Sequence, residues 1–206
     1  MTFSTLDTLE ADPPSSRDKR REATRKAIEW LAIGLFEEAG YDQVTVADVA
    51  AKADISERTF FRYFAGKDDV LFATTDYGTE RFKRYLASRP KAEDPLTAMK
   101  AATLRYARDH DEDLDLLVRR ERLAARYPQI RRWERGKTIV WEPAFAAILN
   151  RRDPKGDALR HRIIAASAVL ALEAGAQECC RQNGAQPLSA LVARVFDELG
   201  AIFSTR

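Results

Sequence analysis

The chain has 206 residues, of which 45% are hydrophobic and 32% are charged. This length suits one large or two small domains, and the apolar fraction is sufficient for a buried core. A net charge of only +2 means that bulk charge alone does not indicate a nucleic-acid-binding protein. The sequence shows no uninterrupted apolar run of the roughly 18 residues that a membrane span needs, and its first residues lack a secretory signal pattern. We therefore expect a cytoplasmic protein with no membrane partner.

Residues 1–16 contain Pro13 and Pro14 and show little periodicity, which predicts a flexible N-terminal arm. A cationic run at 17–21 opens the first predicted helix, which ends at Gly40. The inner face of this helix is formed by Ala27, Ile28, Leu31, Leu35 and Phe36. The cations at its start are compatible with contacts to phosphate and equally with a solvated helix end.

Residues 45–67 have the pattern of two short helices joined by a tight turn. Thr45 and Asp48 have the spacing of a capping box at the start of the first, and Ser56 can cap the second, over 57 to about 64. In a helix-turn-helix unit the second helix enters the major groove of DNA. Its side chains with donors for base edges and phosphates are Arg58, Thr59, Arg62 and Tyr63. On spacing alone, a packed helical hairpin with no nucleic-acid role remains the alternative.

From Lys67 onward the sequence predicts helices with short breaks and no alternating strand pattern. The predicted helices cover 68–88, about 95–110, a stretch that stops before Pro128, 130–150, about 157–182 and 187–203. The chain is therefore predicted to be all-α, with about nine helices. The last two have a wider apolar surface than a surface helix needs, so either they are central or a partner covers them.

The sequence contains no pattern typical of an enzyme. His110 and His161 are isolated from other potential catalytic or ligating side chains, and no glycine-rich phosphate loop is present. We therefore expect no catalytic residues, no metal and no cofactor. Cys179 and Cys180 are adjacent on a predicted helix, which favours packing over a redox role.

A second cationic cluster spans residues 119–137 and is interleaved with apolar and aromatic side chains. One interpretation is a solvated face that flanks core residues. The other is a pocket for an anionic effector, with apolar walls and arginines that meet a phosphate or carboxylate. The candidate effector-binding residues are Arg119, Arg122, Leu123, Tyr127, Trp133, Trp141 and Phe145.

Residues 25–71 closely resemble the DNA-binding domain of TetR-family transcriptional regulators. The motifs are Ala27-Ile28, Leu35-Phe36, Gly40-Tyr41, Thr45-Val46, Val49-Ala50, Ala53, Ile55-Ser56, Thr59-Phe60, Tyr63-Phe64, Lys67 and Leu71. The resemblance implies a three-helix DNA-binding domain over 17–67 and a larger helical effector-binding and dimerisation domain over 68–206. It also implies DNA contacts from Thr45, Arg58, Thr59, Phe61, Arg62, Tyr63 and Lys67. Arg58 and Thr59 would read base edges, while Tyr63 and Lys67 would hold phosphates; Phe61 stands where many family members have tyrosine.

The C-terminal half, over 119–203, is similar to the same domain of TetR regulators related to mycofactocin-system repressors. The similarity is carried by Arg122-Leu123, Tyr127-Pro128, Ile130-Arg131 and Trp133-Glu134, whereas Cys179-Cys180 replaces a tryptophan that is frequent in this branch. The branch has an acyl-CoA-like ligand-binding domain. The two resemblances imply a homodimer, joined through about 157–203, that represses transcription until a fatty acyl or acyl-CoA effector releases it from a palindromic operator. A transcriptional activator, a nonspecific DNA-organising protein and a helical small-molecule enzyme are the alternatives.

Overall fold

A computed structural model describes residues 16–71 and 73–204. These residues form eleven helices and no strand. The helices are α1 (Ser16–Ala39), α2 (Val46–Lys52), α3 (Glu57–Phe61), α4 (Lys67–Val70), α5 (Ala73–Ala87), α6 (Pro95–Asp111), α7 (Leu114–Arg126), α8 (Pro128–Thr138), α9 (Trp141–Arg152), α10 (Ala158–Arg181) and α11 (Leu188–Ser204). The predicted arm at 1–16 lies outside the described residues, apart from Ser16 as the first residue of α1.

The all-α prediction is confirmed, but eleven helices replace the predicted nine because two predicted helices are each divided. The predicted helix over 68–88 consists of α4 and α5, and the one over 130–150 consists of α8 and α9. Pro143 explains the second division, because proline lacks an N–H group and is tolerated best in the first turn of a helix. The chain therefore starts a new helix at Trp141, two residues before this proline.

The N-terminal helices pack around an aromatic core. Phe36, Tyr41, Phe60 and Phe64 are all buried in it, and Gly40 ends α1 with a φ of 87° that favours glycine. The helix α3 is shorter than predicted, since after Phe61 the chain continues as turns.

The core of the N-terminal helices does not end at residue 67. Leu116, Leu123 and Ala124 of α7 and Ile130 of α8 are buried against it. Apolar side chains of the larger C-terminal part therefore complete the smaller core. The boundary between 67 and 68 remains a prediction, and it does not coincide with a gap in packing.

The second core is built around α10, which packs against α6, α7, α9 and α11. Phe82 of α5 and Phe145 of α9 stack face to face in it, with ring centroids 4.0 Å apart. By length and composition α10 could cross a membrane. A central helix of a bundle has the same apolar character, and α10 has that position here.

Polar contacts join α1 to the C-terminal helices. Lys26 is ion-paired with Asp113, at the residue before α7, and Glu22 with Arg81 of α5. Farther along α1, the Glu37 carboxylate lies 2.6 Å from the Arg119 guanidinium. The helix α1 therefore contacts both the C-terminal helices and the helix-turn-helix unit.

Candidate DNA-binding surface and effector cavity

The two short helices α2 and α3 are fixed by the predicted caps. The side chain of Thr45 accepts a hydrogen bond from the Asp48 N–H at 3.2 Å, and the Asp48 carboxylate accepts from the Thr45 N–H at 2.8 Å, which confirms the capping box. The hydrogen bonds from Thr45 lower the pKa of Asp48. Ser56 caps α3 by accepting from the Thr59 N–H at 3.1 Å. Both short helices therefore begin where the sequence predicts.

The helix α3 buries one face and exposes the other. Phe60 is fully buried, whereas Arg58, Phe61 and Arg62 are exposed and Thr59 is half-buried. Two cationic side chains and a large aromatic ring thus share the outer surface of the second helix of the helix-turn-helix unit. This is the composition that phosphate contacts and base-edge contacts require.

The remaining predicted DNA contacts surround α3. Thr45 is exposed at the start of α2, and the Arg62 guanidinium lies over the Tyr63 ring, 5.2 Å from its centroid. Lys67 differs, since its ammonium group donates to the carbonyl oxygens of Tyr41 at 2.9 Å and Val44 at 3.1 Å. Two of its three donors therefore hold the turn before α2, and its contact with phosphate remains a prediction.

Two arginines of α1 hold the end of α3, a role that sequence reasoning missed. Arg25 is buried, donates to the carbonyl oxygen of Tyr63 and lies over the Phe64 ring, 4.6 Å from its centroid. Arg21 donates to the carbonyl oxygen of Arg62 at 3.4 Å. These two cations of α1 therefore position the recognition helix. Their spacing of one helical turn is visible in the sequence, but their partners are not.

A cavity of about 80 Å³ lies among the helices of the C-terminal core. We call it the effector cavity, as the candidate site for the effector that the family resemblance implies. Its apolar walls include Leu117, Val169 and Leu172, and its aromatic walls are Tyr106 and Trp141. The ionisable side chains that line it are Tyr106, His110, Arg120, Glu121, Glu134, Arg135 and Glu173. The cavity thus combines an apolar interior with several charged groups, as small-molecule sites do.

The charged side chains around the cavity form ion pairs and affect one another's pKa values. Arg131 of α8 lies 2.8 Å from Glu121 and 2.6 Å from Glu134, so one guanidinium joins two carboxylates. Burial and the nearby Glu121 carboxylate raise the pKa of Glu134, against an opposing effect of Arg120. Burial also lowers the pKa of His110, which favours its neutral form.

Trp141 provides a hydrogen-bond donor at this cavity. Its side chain is 6% exposed, and its indole Nε1 has no hydrogen-bond partner among the residues that the structure describes. Buried tryptophan N–H groups usually have an acceptor, because leaving one unsatisfied costs free energy. An acceptor atom on a molecule in the cavity would satisfy it.

The structure brings only Trp141, of the seven predicted effector-binding residues, to this cavity. Phe145 lies behind it, with ring centroids 5.9 Å apart. The other five lie elsewhere: Arg119 pairs with Glu37, Arg122 donates to Asn183, and Leu123, Tyr127 and Trp133 pack with the N-terminal core. Their roles in effector binding remain predictions.

Two family matches cover most of the chain. Residues 31–74 match the family described as bacterial regulatory proteins, tetR family, and residues 93–204, more than half of the chain, match the MftR C-terminal domain. The chain is 34% identical over 106 residues to the HTH-type transcriptional regulator TcmR of Streptomyces glaucescens, covering 47% of each protein. The alignment thus spans about half the length of that relative.

Other relatives extend over more of the chain. The putative mycofactocin biosynthesis transcriptional regulator MftR of Mycobacterium tuberculosis is 26% identical over 141 residues, covering 68% of this chain and 71% of MftR. The fold is similar to that of FadR from Bacillus subtilis, solved in complex with stearoyl-CoA, with a TM-score of 0.56 and 17% identity over 84% of this chain and 95% of that one. FadR from Bacillus halodurans gives a TM-score of 0.55 and 20% identity over 84% and 92%. The chain belongs to the TetR family of DNA-binding transcriptional regulators, and its C-terminal domain is of the MftR type.

Proposed function

We propose that this protein is a homodimeric repressor that a small-molecule effector releases from a palindromic operator. The observation that carries the proposal is the effector cavity. It lies among helices that contact α1, and α1 in turn holds α3. A molecule in this cavity can change the position of α3 only by as much as it prefers one arrangement of the dimer. As a regulator that binds chromosomal DNA, the protein is expected in the cytoplasm.

Exposed apolar side chains on the last two helices support the dimer. Leu159, Ile163 and Leu170 are exposed at one-turn or two-turn spacing on α10, and Ile202 is exposed on α11. An open groove between these helices adds Val195 and other residues. A second copy of the same surface would cover these side chains and set two α3 helices about one turn of DNA apart. Equilibrium sedimentation should give twice the 23.3 kDa mass of the chain; a monomer at micromolar concentration would contradict the dimer.

The size and polarity of the effector cavity indicate the class of effector. Because pockets for small molecules usually enclose about 300–1,000 Å³, a space of about 80 Å³ accommodates only a small group in this conformation. The three carboxyl groups that line the cavity have cationic partners, because Arg131 joins Glu121 and Glu134 and Arg135 lies 3.6 Å from Glu173. The N–H group of Trp141 and the guanidinium group of Arg120 are donors at the cavity, so they suit a ligand with a carboxylate or carbonyl oxygen. The FadR protein of Bacillus subtilis, which has a similar fold, was solved with stearoyl-CoA bound. A fatty acyl or acyl-CoA effector is therefore part of the proposal, with a short acyl chain unless the walls move.

We expect Trp141→Phe to weaken effector binding by about fivefold to tenfold, because it removes one hydrogen bond and keeps the aromatic wall. The probes are acetate, butyrate, hexanoate and octanoate, each as the free anion and as the CoA thioester, with affinity measured by isothermal titration. Trp30→Phe is the matched control, since Trp30 is 44% exposed on α1 and does not line the cavity. Equal affinity in wild type and Trp141→Phe would contradict the assignment, and binding of none of the thioesters would remove the acyl-CoA proposal.

A further inference from the structure

A second cavity, of about 60 Å³, lies where α1 meets α5, α6 and α7. We call it the interdomain cavity. It shares four wall residues with the effector cavity, namely Tyr106, His110, Leu117 and Arg120. A single layer of side chains therefore separates the effector cavity from the helix that supports the DNA-binding unit. Arg120 is the member of this layer that carries a permanent charge.

Glu29 of α1 lines the interdomain cavity and is fully buried. Within the described part of the chain, neither of its carboxyl oxygens has a hydrogen-bond partner. Burial raises its pKa to about 8, and Arg120 is the largest of the nearby charges that oppose this rise. A buried carboxylate is costly unless a counterion compensates it. Burial therefore keeps Glu29 mostly protonated at pH 7, and the position of the Arg120 guanidinium affects how readily Glu29 ionises as the pH rises.

Two further cations line the interdomain cavity, and each of them is close to a carboxylate. Lys26 pairs with Asp113, and Arg81 pairs with Glu22 and lies 3.5 Å from Asp109. The remaining titratable wall groups are Tyr106 and His110, and burial favours the neutral form of both.

Arg120 also acts on the opposite side of this layer. It is the largest of the charges that lower the pKa of Glu134, a carboxyl group of the effector cavity on α8. The Arg120 guanidinium thus lowers the pKa of Glu29 on one side of this layer and the pKa of Glu134 on the other side. A third carboxylate, brought by a ligand, would compete with both for it.

We propose that Arg120 is the counterion that couples the two cavities, so that a ligand carboxylate in the effector cavity draws its guanidinium away from Glu29. This inference rests on the proposed effector function and adds the chemical class of the effector and the residue that transmits its binding. Because a pKa of about 8 leaves Glu29 mostly protonated at pH 7, the coupling acts on the ionised form that becomes populated as the pH rises through 8. This form then either takes up a proton or moves with α1 toward water. Because linkage is reciprocal, DNA binding must weaken the affinity for the carboxylate by the same factor.

Glu29 lies one helical turn from a residue of α1 that contacts the helix-turn-helix unit. Arg25 lies four residues before Glu29 on α1, and its charge also acts on the Glu29 carboxyl group. Arg25 donates to the carbonyl oxygen of Tyr63 at the end of the recognition segment. A change in the charge or position of Glu29 therefore alters the electrostatic environment of Arg25, the residue that holds α3 in place.

The first test is the titration of the Glu29 carboxyl group by carbon NMR on the full chain with ¹³C-labelled glutamate, using Glu29→Gln to assign its signal. Arg120→Gln is expected to raise the pKa of Glu29 by about one unit. Arg119→Gln is the matched control, because the neighbouring Arg119 pairs with Glu37 on another face of α7. An unchanged titration of Glu29 in Arg120→Gln, or an equal change in Arg119→Gln, would overturn the proposal whether or not the protein binds an operator.

The second test adds octanoate as the probe. Saturating octanoate should raise the pKa of Glu29 in wild type and leave it unchanged in Arg120→Gln, with occupancy followed by the indole signal of Trp141. Octanoate that binds without affecting Glu29 would overturn the coupling. A failure of octanoate and of the smaller acetate and butyrate to bind would refute the carboxylate class of effector, whereas the comparison without ligand would still decide the electrostatic effect of Arg120 on Glu29.

The third test measures operator affinity in a double-mutant cycle. At pH 9, where Glu29 is mostly ionised in wild type, Arg120→Gln is expected to weaken operator binding by up to about fivefold, which is what a rise of one unit from a pKa of about 8 permits, and at pH 6 it should have little effect. This loss should be absent when Arg120→Gln is introduced into a Glu29→Gln background, because no buried carboxylate then lacks its counterion. Equal losses in both backgrounds would show that Arg120 acts independently of Glu29.

Discussion

Replacing Phe60 with alanine is expected to lower the free energy of unfolding by about 3–5 kcal/mol, as the loss of a large buried ring does. Phe60 is fully buried, and its ring centroid lies 5.2 Å from that of Phe64. It joins α3 to the helices that carry it. Since domains are stable by only about 5–15 kcal/mol, this loss would remove a large part of the free energy of unfolding. Urea denaturation followed by circular dichroism measures it.

Phe61→Ala is the matched control for this prediction. Phe61 is adjacent to Phe60 but 54% exposed on the outer face of α3. Its removal should change the free energy of unfolding by less than about 1 kcal/mol and weaken DNA binding through loss of an apolar contact. Similar losses of stability in the two variants would contradict the assignment of the two faces of α3.

Lys67→Ala is expected to lower the free energy of unfolding by about 2 kcal/mol or more, because charge-assisted hydrogen bonds contribute about 1.5–3 kcal/mol each. The variant loses both hydrogen bonds to the turn before α2. It also loses the contact of the ammonium group with the Tyr41 ring, whose centroid lies 4.4 Å away. Thermal denaturation without DNA is the direct measurement.

Lys52→Ala provides the comparison, since Lys52 is exposed at the end of α2. It should leave the melting temperature within experimental error of wild type. If Lys67→Ala instead kept the wild-type melting temperature and only weakened DNA binding with a smaller salt dependence, Lys67 would act mainly as the phosphate contact that the family resemblance implies.

Local patterns predict the helix-turn-helix unit well. The caps at Thr45 and Ser56 depend on residues within three positions, so their signals are complete in the sequence. Contacts between distant segments are not predictable in this way. The carbonyl oxygens that Lys67 and Arg25 hold lie 23 to 38 residues away along the chain. A cation in a sequence indicates a charge, and only the packing of the fold determines its partner.

The residues that line the effector cavity are also not predictable from the sequence. The cationic cluster at 119–137 is evident in the sequence, but its residues on α7 lie on different faces of the helix. Arg120 faces the two cavities, whereas the neighbouring Arg119 faces Glu37 of α1. Periodicity separates these two faces, yet it does not indicate which of them encloses a space. The sequence also does not predict the break between α8 and α9, and this break places Trp141 in the cavity wall at the start of α9.

The most direct test of the account is the binding of this protein to the DNA immediately upstream of its own gene, compared with scrambled DNA of the same composition at matched salt. The account predicts tight binding of two protomers per site, well above the scrambled control, with the difference reduced in Arg58→Ala. Operator binding that an acyl-CoA or carboxylate probe then weakens would support the repressor. Equal, weak binding to both DNAs, unchanged in Arg58→Ala, would contradict a site-specific repressor of its own gene that reads DNA through α3. A genome-wide pull-down would then distinguish a distant operator from nonspecific binding.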